Sequence, residues 1–169
     1  MKDTELAYIA GIVDGEGYIG AEQINPGKSG GYQRRMRWHI RVGVGITDKE
    51  VVDYLKDKLG GSVHVRNRQS DRWKTCYYWR VTAGNAKQVL LSLMPYLKIK
   101  KERAKLAIKI QNLRELPREK RYFWEKHFNP HFNTPGLGGY KVRQEIVAKE
   151  AFLAQEIKDL NRKGAPSAI

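Results

Sequence analysis

The stretch Asp3 to Gly17, DTELAYIAGIVDGEG, constrains this chain more than any other. Its spacing is helical from Asp3 to Val13, after which DGEG stops it: Asp3 or Thr4 stands where a cap is needed, and Leu6, Ile9 and Val13 line one apolar face. Ala7, Ala10, Gly11 and Asp14 form a second face of small residues, so the helix has two surfaces to bury. Glycines at 15 and 17 accept the conformations that end a helix, and a strand is expected to follow. Asp14 and Glu16 therefore fall at the negative end of the helix dipole, a poor place for a carboxylate unless a positive group stands beside it.

A metal ion would supply that positive charge. A carboxylate, the Gly15 carbonyl, water and phosphate make an all-oxygen set suited to magnesium, which takes one or two protein carboxylates together with phosphate oxygens. Such an ion polarises phosphate, activates water and shields a leaving oxygen. Ala7, Gly11 and Gly15 recur at four-residue spacing, which lets another backbone approach closely. If that neighbour were the same helix of a second copy, two acidic sites would stand side by side about a two-fold axis. The plainer reading of these residues is a packed helix followed by an acidic turn.

The rest of the chain alternates strands and helices. Tyr18 to Asn25 can extend, Pro26 to Gly31 reads as a loop, and Tyr32 to Ile46 reads as a long second strand. There Met36, Trp38, Ile40, Val42, Val44 and Ile46 alternate with Arg35, Arg37, His39 and Arg41, giving one apolar and one basic face. Asp48 caps a helix over Lys49 to Leu59 that Gly60 and Gly61 end. Val63 and Val65 alternate with His64, Arg66 and Arg68; after the turn QSDR, a strand from Trp73 to Thr82 sets Tyr78 and Arg80 opposite Trp79 and Val81. A third helix spans about Asn85 to Leu97, and KIKK leads into another that runs to about Leu113.

This order predicts an α+β domain, αββαββα, whose helices back a mixed or antiparallel four-stranded sheet. It occupies residues 1–116, and residues 117–169 form a helical extension packed on it. The extension reads as a short aromatic helical segment (Tyr122 to Phe128), a loop (Asn129 to Gly139), a final helix near Lys141 to Asn161 and six frayed residues.

Lysine and arginine number 32 against 18 acids, a net charge of +14 on 169 residues, which points to a polyanionic partner. Arginine suits guanine edges and phosphates, so the basic outer face of the strands fits nucleic acid better than a merely solvated surface. Glu22 falls on that face by alternation and is placed either to accept from cytosine or to stay a surface residue. The lone Cys76 excludes an internal disulfide framework, and four scattered histidines offer no tetrahedral zinc set. His127 and His131, among aromatic neighbours, read as packing residues. With no apolar run near the roughly 20 residues of a bilayer span, and acids at Asp3 and Glu5, a soluble intracellular protein without a membrane partner is expected.

Ile9 to Gly17, IAGIVDGEG, closely resembles the LAGLIDADG signature of homing endonucleases, and all nine positions conform. With the element order and the PYLKIKK stretch (Pro95 to Lys101), the resemblance covers roughly residues 4 to 114. One copy of the motif is present, as in the family's homodimeric members.

The resemblance implies a dimer interface of motif helices, using Ala7, Ala10, Gly11 and Asp14, and a curved four-stranded sheet saddling the major groove of double-stranded DNA. Glu16 matches the acid that binds the catalytic metal, with Gly15 offering its carbonyl. Lys100 matches a lysine near the reacting phosphate, with Lys98 the near alternative, and Arg66 and Arg68 match strand positions that contact DNA. A polar residue that helps hold the nucleophilic water usually stands where the second strand meets the second helix; here Ile46, Thr47 and Asp48 occupy that place, and Thr47 fits best. The implied activity is Mg2+-dependent hydrolysis of both strands at a long, near-palindromic site, leaving 3′ overhangs and propagating an intron or intein. Mn2+ should substitute, and Ca2+ should bind without supporting cleavage. An intron RNA maturase and a non-cutting DNA-binding regulator are the rival readings, and retention of Glu16 and Lys100 speaks against the regulator.

Overall fold

The computed structural model describes residues 1–24, 28–29, 32–33, 37–66, 74–115 and 138–163. In chain order these form α1 (Asp3–Glu16), β1 (Gly17–Ile24), β2 (Lys28–Ser29), β3 (Tyr32–Gln33), β4 (Arg37–Ile46), α2 (Lys49–Leu59), β5 (Ser62–Arg66), β6 (Cys76–Thr82), α3 (Ala83–Leu93), α4 (Lys101–Glu115) and α5 (Gly138–Lys163). The αββαββα order holds, with a two-residue hairpin, β2 with β3, ahead of the second long strand. Of the expected strand from Tyr32 to Ile46, Tyr32–Gln33 and Arg37–Ile46 are strands, and 34–36 lie outside the described residues. The main sheet runs β1-β4-β6-β5 and every pairing in it is antiparallel.

Several boundaries differ from the sequence expectation. Lys2, not Asp3 or Thr4, is the N-cap of α1, and the Glu5 carboxylate reaches back to accept the Lys2 backbone N–H at 2.9 Å. The helix does not stop at Val13; it runs through Gly15 and Glu16. Gly17, the residue after it, is extended at φ −86°. Glycine is needed there for space, since a Cβ would lie 2.4 Å from the Val13 carbonyl oxygen. β6 begins at Cys76 rather than Trp73, α3 ends at Leu93 rather than Leu97, and α5 begins at Gly138 rather than near Lys141. The aromatic segment Tyr122 to Phe128, with His127 and His131 beside it, and the last six residues lie outside the described residues.

One face of the sheet makes the core. Ile19, Ala21, Ile40, Val42, Val44, Trp79 and Val81 are buried against Ile9, Ala10 and Val13 of α1, Val52 and Leu55 of α2, and Val89, Leu90 and Leu93 of α3. Each large side chain so buried contributes about 1.5–3 kcal/mol. Leu153, Ala154 and Ile157 of α5 join the same core, and α5 packs on α4, β1 and β4.

Two polar contacts fasten this last helix. The Arg103 guanidinium donates to the Leu160 carbonyl at 2.7 Å, and the Asn161 amide donates to the Ile19 carbonyl on edge strand β1 at 3.1 Å. Covering an edge strand in this way removes a template for unwanted pairing. Among the described residues no helix is long and apolar enough to cross a membrane.

Candidate functional site

The acidic end of α1 meets the turn that enters α4. Asp14 is half-buried and spends both carboxylate oxygens on that turn: Oδ2 accepts the Lys98 N–H at 2.7 Å and the Ile99 N–H at 3.2 Å, and Oδ1 accepts the Lys100 N–H at 2.9 Å. It thus stands at the positive N-terminal end of α4, where a carboxylate is favoured. Lys100 does the converse. It is 8% exposed, and its Nζ donates to the carbonyls of Val13, Asp14 and Gly15 at 2.9, 2.5 and 3.4 Å. The carbonyls of Asp14 and Gly15 are orphan acceptors of the last turn of α1, while that of Val13 also accepts the Gly17 N–H. The positive group that the helix end required is therefore, at least for Asp14, supplied by the protein itself. Burial pushes the Lys100 ammonium below its usual pKa, nearby Arg103 adds to this, and Asp14 and Glu16 oppose it.

Glu16, the last residue of α1, is exposed, and so is Gly15 beside it. With Asp14 committed elsewhere, the chain offers one carboxylate and one main-chain carbonyl at this end. Among the described residues no cluster of three or more histidine, cysteine, aspartate or glutamate side chains is present. That donor set fits a hard ion completing its shell with phosphate and water, such as Mg2+, and not a closed zinc site. Lys98 is exposed, as is Thr47 just beyond β4. Asp48 is the N-cap of α2, its carboxylate accepting the Glu50 N–H at 2.9 Å.

The second surface is the outer face of the sheet. Register sets Glu22 opposite His39, Gly20 opposite Arg41 and Tyr18 opposite Gly43. Across the next pairing Arg80 faces Gly43 and Tyr78 faces Gly45, and beyond them His64 faces Tyr78 and Arg66 faces Cys76. Glu22, His39, Arg41, His64, Tyr78 and Arg80 thus share one face, as the alternation requires, and the backbones of Arg37 and Arg66 continue the same register. Arg35 and Arg68 lie outside the described residues. Arg41 is ion-paired to Glu22, and Ser62 Oγ lies 3.1 Å from His64 Nε2.

Sequence reading missed the glycines on this face. A Cβ at Gly20 would lie 2.1 Å from the Tyr18 hydroxyl, and one at Gly45 would lie 2.6 Å from the Tyr78 ring. The tyrosine rings occupy the space where side chains would otherwise stand, so the middle of the face is low and aromatic while charges project around it. The signal was available: Tyr18-x-Gly20 and Gly43-x-Gly45 follow the two-residue period of a strand. Burial raises the Tyr18 pKa, the Glu22 charge adds to the rise, and Arg41 opposes it.

The small-residue face of α1 is partly open. Ala7 and Gly11 are exposed, Tyr8 is 58% exposed, and a Cβ at Gly11 or Gly15 would meet nothing within 4 Å. Of the residues expected at a dimer interface, Ala10 is turned away from the open face. Ala10 is 0% exposed, because its position turns inward with Ile9 and Val13, and the Asp14 carboxylate is engaged by its own chain.

No family model matches the chain. It is 33% identical over 116 residues to the DNA endonuclease I-CreI of Chlamydomonas reinhardtii, a stretch covering 68% of this chain and 66% of that relative, just under two thirds of its length. Among solved structures it is similar to the homing endonuclease I-CvuI, solved in complex with its target in the presence of Ca, with a TM-score of 0.58, 21% identity and coverage of 94% of each chain. It is also similar to the archaeal intron-encoded homing endonuclease I-Vdi141I complexed with DNA, with a TM-score of 0.54, 14% identity and coverage of 95% of this chain and 99% of that one. At such identities the structural likeness speaks to the fold. With the sequence relative and a motif that conforms at all nine positions, it establishes that the chain belongs to the LAGLIDADG family of homing endonucleases.

Proposed function

We propose that this protein is a site-specific DNA endonuclease that works as a homodimer and hydrolyses both strands of a long, near-palindromic site. The observation that carries this reading is the exposed Glu16 carboxylate at the end of the motif helix, in a chain whose sheet turns a basic face outward. Its sequence relative is named a DNA endonuclease, and I-CvuI was crystallised on DNA with Mg and with Ca.

Glu16 and the Gly15 carbonyl would hold a divalent cation, which when bound polarises the scissile phosphate. Around it the chain's own groups bind and orient. Arg37, Arg41, Arg66 and Arg80, with His39, His64 and Tyr78, meet phosphates and base edges; arginine's planar fork suits both. Arg35 and Arg68 extend this surface in sequence. Thr47 stands ready to hold water, and the Lys98 to Lys100 turn brings positive charge to the phosphate, where developing charge is greatest.

Ala7 and Gly11 offer the close contact between two copies of α1, which would put one acidic site at each DNA strand. Each subunit would then cover about one turn of 10 base pairs. α5 is an extension that secures the edge of the sheet. Mn2+ substitutes for Mg2+, Ca2+ binds without supporting cleavage, the ends carry 3′ overhangs, and the protein resides inside the cell.

The test is incubation of the purified protein with a random duplex library in Mg2+ and, separately, in Ca2+, with sequencing of the ends and Glu16→Gln in parallel. Cleavage at one long near-palindrome, abolished by the substitution while binding persists, is the expected result. Tight DNA or intron-RNA binding with no cutting in any divalent metal would overturn it in favour of a regulator or a maturase.

A further inference from the structure

We infer that Glu22 and Arg41 together are a specificity determinant that reads one base pair in each half-site, with guanine under Arg41 and cytosine under Glu22. The inference rests on the DNA-binding reading above and names a base pair that it takes. Glu22 on β1 faces His39, and Arg41 on β4 faces Gly20, so the two are diagonal neighbours on the outer face of the sheet. Gly20 puts no side chain between them; the end of the Tyr18 ring lies over it instead, and the carboxylate and guanidinium form an ion pair. Both charged side chains stay part-exposed. Each holds the other in place before a ligand arrives, which lowers the ordering cost of binding.

A carboxylate on a face that meets DNA is repelled by phosphate and by every acceptor on the groove floor. In the major groove it can bind only the amino group of cytosine or adenine. The minor groove, about 6 Å wide, is too narrow to admit a sheet, so that donor must be met in the major groove. Arg41 narrows the choice further. Of the five N–H groups of a guanidinium, one on Nη1 is given to Glu22 and that on Nε is buried, so three are left. Across a G·C pair the major-groove edge runs N7, O6 and then the cytosine amino group, two acceptors beside one donor. Arg41 and Glu22, held side by side, offer donors beside an acceptor in the same order.

Turning the base pair round sets the amino group against the guanidinium and both acceptors against the carboxylate. Adenine under Arg41 brings thymine O4 against Glu22, which repels as well. Thymine under Arg41 keeps a single acceptor there and leaves the adenine amino group for Glu22, so T·A ranks second.

In the experiment the full chain selects duplexes from a random library in Ca2+, with Glu22→Gln, Arg41→Met and Arg41→Lys in parallel. The preferred site is then synthesised with each base pair varied singly. Affinity ratios at each position are the readout, so a general change in electrostatic attraction cancels. At one position of each half-site the wild type should take G·C over its reversal by about tenfold or more, with T·A between them. Glu22→Gln and both Arg41 variants should bring that ratio below about threefold at the same position and leave the other positions as they were. Replacing its guanine by 7-deazaguanine, which lacks the N7 acceptor, should weaken wild-type binding about fivefold and that of Arg41→Met hardly at all. Arg41→Lys keeps the charge but loses the planar fork, and it carries the test should Arg41→Met not fold.

Preferences that survive at every position in all the variants would overturn the inference while leaving site-specific binding in place. So would Glu22 and Arg41 variants that relax different positions, or a loss spread evenly over the site, which would make the pair a backbone contact. A wild type that binds duplexes with no preference would sink site-specific binding and this inference together.

Discussion

Glu22 on β1 pairs with Arg41 on β4 diagonally across the sheet, over Gly20, which faces Arg41 directly and has no side chain to intervene. Both partners are about a third exposed, with side-chain accessibilities of 39% and 31%, so the pair contributes little to stability, but it neutralises one guanidinium on the face proposed to meet DNA. Glu22→Gln should tighten DNA binding at low salt and steepen the dependence of log affinity on log salt by about one, because one more cation is free to displace a counterion. It should also relax base preference where the held guanidinium sits. A salt series with a fixed duplex reads the slope; an unchanged slope would mean that Arg41 does not meet the DNA.

Gly11 has open space where a Cβ would project, and it is exposed on α1. Gly11→Leu should therefore leave the monomer's melting temperature unchanged or slightly raised, since glycine inside a helix costs about 1 kcal/mol relative to a better helix former. The same substitution should weaken self-association at least tenfold by holding two helices apart. Light scattering over a dilution series separates the two effects, and unaltered dimerisation would place the contact elsewhere.

Backbone strain gives a third test. Gly61 has φ +88° and a Cβ there would lie 2.5 Å from the Arg80 carbonyl oxygen, whereas Gly60, at φ +71°, has open space. Gly61→Ala should cost more than Gly60→Ala, whose loss should be about 1–3 kcal/mol from conformation alone. Ala83 begins α3 at φ +54°, so Ala83→Gly should stabilise the protein by about 1 kcal/mol. Urea unfolding of the three variants checks the order.

Glu115 at the end of α4 has its pKa held below the usual carboxylate range, first by the Lys87 ammonium and then by the Gln111 amide. A depressed carboxylate stabilises the fold above its unfolded pKa of about 4.5 and loses that contribution as pH falls through the folded value. Glu115→Gln should therefore be less stable than the wild type at neutral pH, and the difference should close below about pH 4.5. Parallel melts from about pH 7 down to pH 3 would reveal it. A gap that persists in acid would assign the effect to packing.

What short-range pattern controls was legible from the residues alone. The alternation from Trp38 to Ile46 specified both faces of β4, Asp48 announced the start of α2, and nine contiguous residues carried the family. Each depends on neighbours within one helical turn or one strand repeat. The tertiary structure decided what those neighbours cannot. Ala10 lies on the small face of α1 by spacing, yet it is buried, because the sheet and the other helices set how that helix is rotated. Tyr78 covers Gly45 only once β6 is paired with β4 in register. Lys100 resembled a group that faces phosphate, and only the meeting of α1 with the start of α4 gave its ammonium three carbonyls to satisfy. Periodicity fixes which way a side chain leaves its own backbone; which group of a distant segment waits there depends on how the elements pack.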